Sequence, residues 1–407
     1  MKQFGRLFYF EWKKIWMRKG TWFALLILLL CHVVIEGLYF TGSTYVEGEF
    51  LETHMEGAKT DAENGRKLSG RKIDSQLLQE MQAAYLKYAN KEYPKCILSD
   101  DYQKTVRPYS TLYRTIRLSL WSAEGVSIDL LKMTEKQYYE ARKAAVSKQW
   151  EDAGLTGTER AYWQKKEEQL KKPFTYQYAQ GYDYLISMSG IYRVCMLVTF
   201  LIAICMSALF TEEHNRKTDQ LILCSKLGRK QVYAAKILSG SLFAIVVTTL
   251  LFLVSLVFAF VIYGADGFSA AIQLHTGAYS GTVTVGQTML IMAGILLLSS
   301  VLLSIFTMVL SEILGSNLAG MSVAIVVMFL ARLVSIPNQY RIFSQAWNYI
   351  PINLLKFDEG FCDTRLVRIF GLDFTSWEFS VILYVAFIIM FIYIGKKVYC
   401  GYQIKGR

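Results

Sequence analysis

Six long apolar runs divide this chain, at 21–41, 190–210, 238–263, 286–311, 317–336 and 379–395. A helix that crosses a bilayer needs about 20 mostly apolar residues, which at 1.5 Å per residue match roughly 30 Å of hydrocarbon. Water is absent there, so a single segment can satisfy its own backbone only as a helix. The expected fold class is an all-α integral membrane protein with six transmembrane helices. A hydrophobic content of 53% and a mean hydropathy of +0.27 agree with that class.

The first run follows a basic stretch, as a cleaved signal peptide would. Residues 1–20 are too long and too aromatic for that, and no small-residue cleavage site follows the run, so a retained anchor is expected. Phe4, Phe8, Trp12 and Ile15 fall at helical spacing, with Arg6, Lys13 and Lys14 on other faces. That pattern suggests a helix lying in the membrane interface before the first span.

Charge sets the orientation. The net charge is +11, and it is carried by the segments 1–20, 211–237 and 396–407, where 16 Lys/Arg stand against four acids, with Glu312 between the fourth and fifth runs as a fifth. The 264–285 loop contains no Lys or Arg. Loops rich in Lys and Arg stay on the cytoplasmic side, so both termini and the 211–237 connector are expected there. The basicity is thus orientation information, and no nucleic-acid partner is expected.

Residues 42–189 form a large insert on the outer side. Within 43–183, 22 Lys/Arg face 21 Asp/Glu, the balance of a folded, water-exposed domain. Segments 77–93, 134–154 and 157–173 read as helices with caps at Thr134 and Thr158, and Pro94, Pro108, Gly125 and Gly154 mark the breaks. The outer segment 337–378 is rich in aromatics around Pro351, which predicts short re-entrant helices at the outer interface. Cys96 and Cys362 would both face outward; a disulfide is open, but two free thiols are expected, because spacing cannot set the geometry of a bond.

The chain lacks the motifs of most enzymes. Gly37 to Gly42 approaches phosphate-loop spacing, but Ser43–Thr44 stand where Lys then Ser/Thr are required. The four histidines, at 32, 54, 214 and 275, form no H-E-x-x-H, and the cysteines no C-x-x-C. Ionisable residues inside spans are costly and therefore of functional interest. Glu36, Arg193 and Arg332, with His32 nearby, all count to the outer leaflet and would line a pathway mouth if they clustered; otherwise each would snorkel to the headgroups. Gly315, Ser316, Ala319 and Gly320 give a small-residue packing seam, expected within the subunit.

Three segments together resemble the permease subunits of bacterial type-2 ABC exporters. Glu11, Lys13, Lys14, Arg18 and Lys19 match the interfacial helix of that family. Glu212, Glu213, Asp219, Leu221, Leu223, Gly228, Arg229 and Lys236 match, in order, its cytoplasmic coupling segment. Residues 351–355, PINLL, match its re-entrant segment. The departure is the size of the outer domain. The resemblance implies a permease that binds no cofactor itself, pairs with a second copy or a related permease in the plasma membrane, and moves cargo outward. ATP and Mg would then sit on a separate ABC ATPase subunit gripping the connector, with Leu221, Ile222 and Leu223 for a groove and Glu212, Glu213 and Arg229 as rim charges. A membrane-anchored sensor that captures a peptide or envelope ligand is the alternative. A secondary transporter fits poorly, since no matching halves are visible.

Overall fold

The structure is a computed structural model that describes residues 2–88, 94–121, 129–215, 228–277 and 279–401. Helices α1 (Lys2–Met17) and α2 (Lys19–Thr41) open it, broken only at Arg18, whose backbone is extended. The inserted domain begins with a β-hairpin, β1 (Ser43–Val46) and β2 (Glu49–Thr53). It continues with α3 (His54–Leu68), α4 (Ser75–Leu86), α5 (Asp100–Thr105), α6 (Ser110–Ser119), α7 (Glu135–Asp152) and α8 (Gly157–Glu168). Then come α9 (Gln180–Ile186), α10 (Ile191–Met206), α11 (Ala208–Asn215), α12 (Gly228–Tyr263), α13 (Val285–Leu314) and α14 (Asn317–Leu333). Two short helices, α15 (Arg341–Asn348) and α16 (Pro351–Leu354), a π turn at Phe357–Phe361 and a second hairpin, β3 (Val367–Ile369) with β4 (Leu372–Phe374), lead into α17 (Ser376–Gly401).

Among the described residues, five stretches are long and apolar enough to cross a membrane: Lys19–Thr41, Gln180–Glu213, Arg229–Tyr263, Val285–Leu314 and Ser376–Gly401. The sixth apolar run folds as α14, which at 17 residues is shorter than the 317–336 expected, since an extended Val334 ends it. Packing in this bundle centres on α13, which contacts α10, α12, α14 and α17. Left-handed Gly315 (φ 61°) closes α13 and turns the chain straight into α14. A Cβ on Gly320 would sit 2.6 Å from the Ser311 Cβ, so the small-residue seam packs α14 onto α13 within the chain.

The inserted domain has its own core, built on Ile73, Leu77, Met81, Leu112, Ile116, Tyr138 and Tyr176, and Leu274 from the α12–α13 loop enters it. Its cap at Thr134 is as expected, a reciprocal capping box with Gln137. The cap of α8 is Thr156 rather than Thr158, because only Thr156 places Glu159 at the third helical position, where its carboxylate can return to the cap N–H. The two hairpins were not expected in an all-α chain. Their turns, Glu47–Gly48 and Phe370–Gly371, all have positive φ, the geometry of a tight two-residue turn whose twist suits antiparallel strands. Cys96 and Cys362 are both free, Cys362 being buried.

Candidate functional site

The end of the bundle that carries α1 also carries α11, the start of α12 and the end of α17. Helix α1 presents Phe4, Leu7, Phe8, Trp12, Ile15 and Trp16 toward the bundle while Tyr9 and Phe10 stay exposed. Glu11 lies in the middle of the inward face and is 3% exposed. A carboxylate held among aromatic rings requires a counter-charge. Lys236, 1% exposed on the first turns of α12, supplies it: its Nζ is 3.2 Å from Glu11 Oε2 and 2.8 Å from Glu213 Oε1. The same ammonium donates to the Leu209 carbonyl at 2.8 Å and lies 5.7 Å from the Phe210 ring centre.

Lys14 completes the cluster from the solvent side, with its Nζ 2.8 Å from Glu11 Oε1 and 3.0 Å from Glu213 Oε1. Partial burial would lower the Lys14 pKa, but the hydrogen bond and charge of Glu11, joined by those of Glu213, outweigh it and hold the ammonium above its ordinary value. One residue beyond α1, Arg18 pairs with Glu212 and donates to the Ala208 carbonyl at 3.3 Å. Two acids and two ammonium groups thus join α1, the end of the second span and the start of the third, and Arg18–Glu212 adds a second tie.

Of the residues expected in the coupling segment, Glu212 and Glu213 lie on α11, and Gly228 opens α12. Arg229 donates to the Cys400 carbonyl at 3.0 Å, tying the connector to the end of α17. Phe210, Tyr233 and Tyr399 stack beneath, with ring centres 5.2–5.8 Å apart. Glu213, expected on a rim facing a partner, instead faces inward. Lys13 is exposed on α1. Asp219, Leu221, Ile222 and Leu223 lie outside the described residues. The part of the connector from 228 onward is not a loop: it is continuous with the third span, so force applied there acts on a helix of 36 residues.

A second charge cluster lies at the other end of α2. Glu36 is fully buried, and Arg193 Nη2 reaches its Oε1 at 2.5 Å. The Tyr184 hydroxyl also donates to Glu36, and Ser255 Oγ does so at 2.9 Å. His32, one turn back on α2, has its Nε2 3.1 Å from Ser255 Oγ and 3.2 Å from the Leu251 carbonyl. Glu36 and Arg193 therefore pair rather than snorkel. Arg332 does not join them: its guanidinium stands 5.8 Å from the Tyr192 ring centre, on another side of α10. The expected three-residue mouth is a two-residue pair with a separate cation–π contact. Tyr184 and Ser255 were missed; the signal in the chain was weak, because Ser255 is one of several hydroxyl residues in the 238–263 run, any of which in a span can turn to the protein interior.

Nothing in either cluster resembles a reaction centre. Among the described residues no group of three or more His, Cys, Asp or Glu is placed to hold a metal ion. The first cluster fastens α1 to α11 and α12, and the second fastens α2 to α10 and α12, through buried charged contacts that are expensive to break.

A family model described as ABC-2 family transporter protein matches residues 40–353, well over half of the chain and including the whole inserted domain. Neither the comparison with curated proteins nor that with solved structures returned a match. The match includes Tyr184, Arg193, Glu212, Glu213, Lys236 and Ser255 and runs through α12 to α14, whereas Glu11, Lys14, Arg18 and Glu36 precede it and α17 follows it. This multi-pass membrane protein belongs to the ABC-2 family of transporter proteins, as a permease component.

Proposed function

We propose that this chain is the membrane permease of a bacterial ATP-driven exporter, with hydrolysis carried out by a separate ABC ATPase subunit that binds ATP and Mg. The observation that supports this reading best is the Glu11–Lys236–Glu213 cluster. An ATPase can bias the spans only through an element that does not yield when pushed. The cluster makes α1, α11 and the start of α12 such an element, and it stands at the end where Lys and Arg are concentrated. The positive-inside tendency places that end in the cytosol and the inserted domain outside the plasma membrane. In this reading α14 crosses as a sixth span, its length of about 25 Å accommodated by local thinning of the bilayer.

Functional units of this kind contain two permeases, either two copies of this chain or this chain with a related one. Co-expression with an ABC ATPase encoded beside this chain tests the proposal. The chain should co-purify with that ATPase and change its rate of ATP hydrolysis in reconstituted bilayers. An ATPase whose rate and sedimentation are unaffected by the chain would refute it.

A further inference from the structure

At the end of the bundle opposite the connector, two cavities open on either side of the Phe357–Phe361 turn. One, of about 330 Å³, lies between α6, the start of the second span and the α12–α13 loop. The other, of about 340 Å³, lies between α7, the end of α14 and the re-entrant segment. Each reaches the lower end of the range of ligand pockets, about 300–1,000 Å³. They share Lys356, Asp358 and Glu359, so they form one cleft divided by that turn.

The chemistry of its walls is one-sided. In a chain of net charge +11, the residues lining the cleft include five carboxylates against three Lys/Arg. One of those cations, Arg365, is already forked onto Asp363 at 2.6 Å, and Lys356 is paired with Glu359 at 3.1 Å. Buried polar atoms without a partner among the described residues gather here: Asp183 Oδ1, His275 Nε2, Asn353 Oδ1 and Gln149 Oε1. His275 and Asn353 are themselves almost fully buried, at 3% for the His275 side chain and 4% for Asn353.

The Asp183, Asn353 and Gln149 oxygens are acceptors. His275 Nδ1 lies 2.8 Å from Asp183 Oδ2, and the neutral imidazole that donates there carries a lone pair on Nε2. Asn353 Nδ2 donates to the Trp347 carbonyl at 3.1 Å, which fixes the amide with its oxygen unpaired. Asp358 accepts from Thr276 Oγ1 at 3.1 Å, yet burial still pushes its carboxyl above the ordinary range. Unpaired buried acceptors cost free energy until a donor arrives. A group with three donors, no acceptor and a positive charge meets that need, and only an ammonium has all three properties.

We propose that the cleft around the Asp358–Glu359 turn binds a primary ammonium group, carried by a soluble amine or by the ethanolamine headgroup of a lipid. Phe357, Leu118 and Met188 provide apolar wall for the methylenes next to that group. The site requires neither ATP nor an ATPase, so it stands apart from the transport reading and is tested on the chain alone.

The test is equilibrium binding to the purified full chain in nanodiscs. One arm titrates a di-lysine amide against its form acetylated on the α-amine and both ε-amines by calorimetry. The other compares retention of phosphatidylethanolamine with that of phosphatidylglycerol by native mass spectrometry. Binding of the free amine identifies a soluble ligand, and selective retention of phosphatidylethanolamine identifies a lipid; either supports the site. Asp358→Asn with Glu359→Gln should weaken that binding at least tenfold. Glu359→Gln alone, at a side chain 71% exposed, leaves the fold intact and should weaken it measurably. The proposal is overturned if neither arm shows amine selectivity, or if both variants bind as the unaltered chain does.

Discussion

Lys236 Nζ lies 2.8 Å from Glu213 Oε1, and through this contact the connector is bound to the third span before any partner touches it. Because Glu11 shares the same ammonium, the interfacial helix is bound as well. Breaking a buried ion pair by removing one partner typically costs about 3–5 kcal/mol, far more than an exposed pair contributes. The cluster is therefore a rigid joint, and its rigidity is measurable.

Lys236→Met should destabilise the chain by about 3–5 kcal/mol, since it leaves Glu11 and Glu213 buried together without their shared cation. The double variant Lys236→Met with Glu213→Gln should recover a large part of that loss. Thermal unfolding in detergent checks both. Equal unfolding temperatures for single and double variants would show that the pair is not coupled.

Arg193→Met should lower the unfolding temperature more than Arg193→Met combined with Glu36→Gln. The single variant strands a fully buried carboxylate, held then only by Tyr184 and Ser255, whereas the double one leaves a neutral amide. A double-mutant cycle gives the coupling, and a value near zero would contradict the buried pairing.

Acid should loosen the inserted domain from the loops beneath it. Glu159 accepts from the Leu366 N–H at 2.8 Å and pairs with Arg341, while Glu167 pairs with Arg142 at 2.5 Å and accepts from Ser280 at 2.8 Å. Burial would raise both carboxyls, but these hydrogen bonds and cations outweigh it and hold them below the ordinary 4.5. A depressed carboxyl stabilises fully above its unfolded value and less as pH falls through the folded one. Hydrogen exchange in α8 should thus be flat from neutral pH down to about 4.5, after correction for intrinsic rates, and accelerate below it. Acceleration on raising the pH would contradict this.

Gly320→Leu should destabilise the α13–α14 hairpin by about 1–3 kcal/mol or more through overpacking, because even a Cβ there meets Ser311 at 2.6 Å. Gly294→Ala, on the same bundle with nothing within 4 Å, should be neutral or mildly stabilising. The unfolding temperature of Gly320→Leu should fall well below that of the unaltered chain, and that of Gly294→Ala should match it or lie slightly above.

Much of the fold was legible because apolar length and basic flanks are strong signals: the long helices lie on the runs that forecast them, although α12 begins ten residues before its run and α17 ends six residues after its own. Gly320 could be read as a packing position for the same reason, since a small residue in a span has few other uses. The charge clusters were legible only by half. Glu11, Glu213 and Lys236 stood out as charges beside spans, but their pairing depends on how three helices approach, which no local pattern encodes. Glu213 was assigned to a partner-facing rim because an acid near a helix surface is usually solvated; burial among α1, α11 and α12 reversed that. Arg332 was grouped with Glu36 by depth alone, and depth says nothing of which face of α10 a neighbour meets. The hairpins at Glu47–Gly48 and Phe370–Gly371 were hidden because each pair has the glycine of a two-residue turn but lacks the Asn or Asp that usually precedes it.

Site-specific photocrosslinking tests the mechanical role of the connector most directly. A photoreactive residue replaces exposed Lys13 on α1 or exposed Lys230 at the start of α12, with exposed Lys136 on the inserted domain as the control. Crosslinks from positions 13 and 230 to an ATP-hydrolysing subunit, and none from position 136, are the predicted result. Adducts to that subunit from position 136, or none from either position at the connector end, would contradict it.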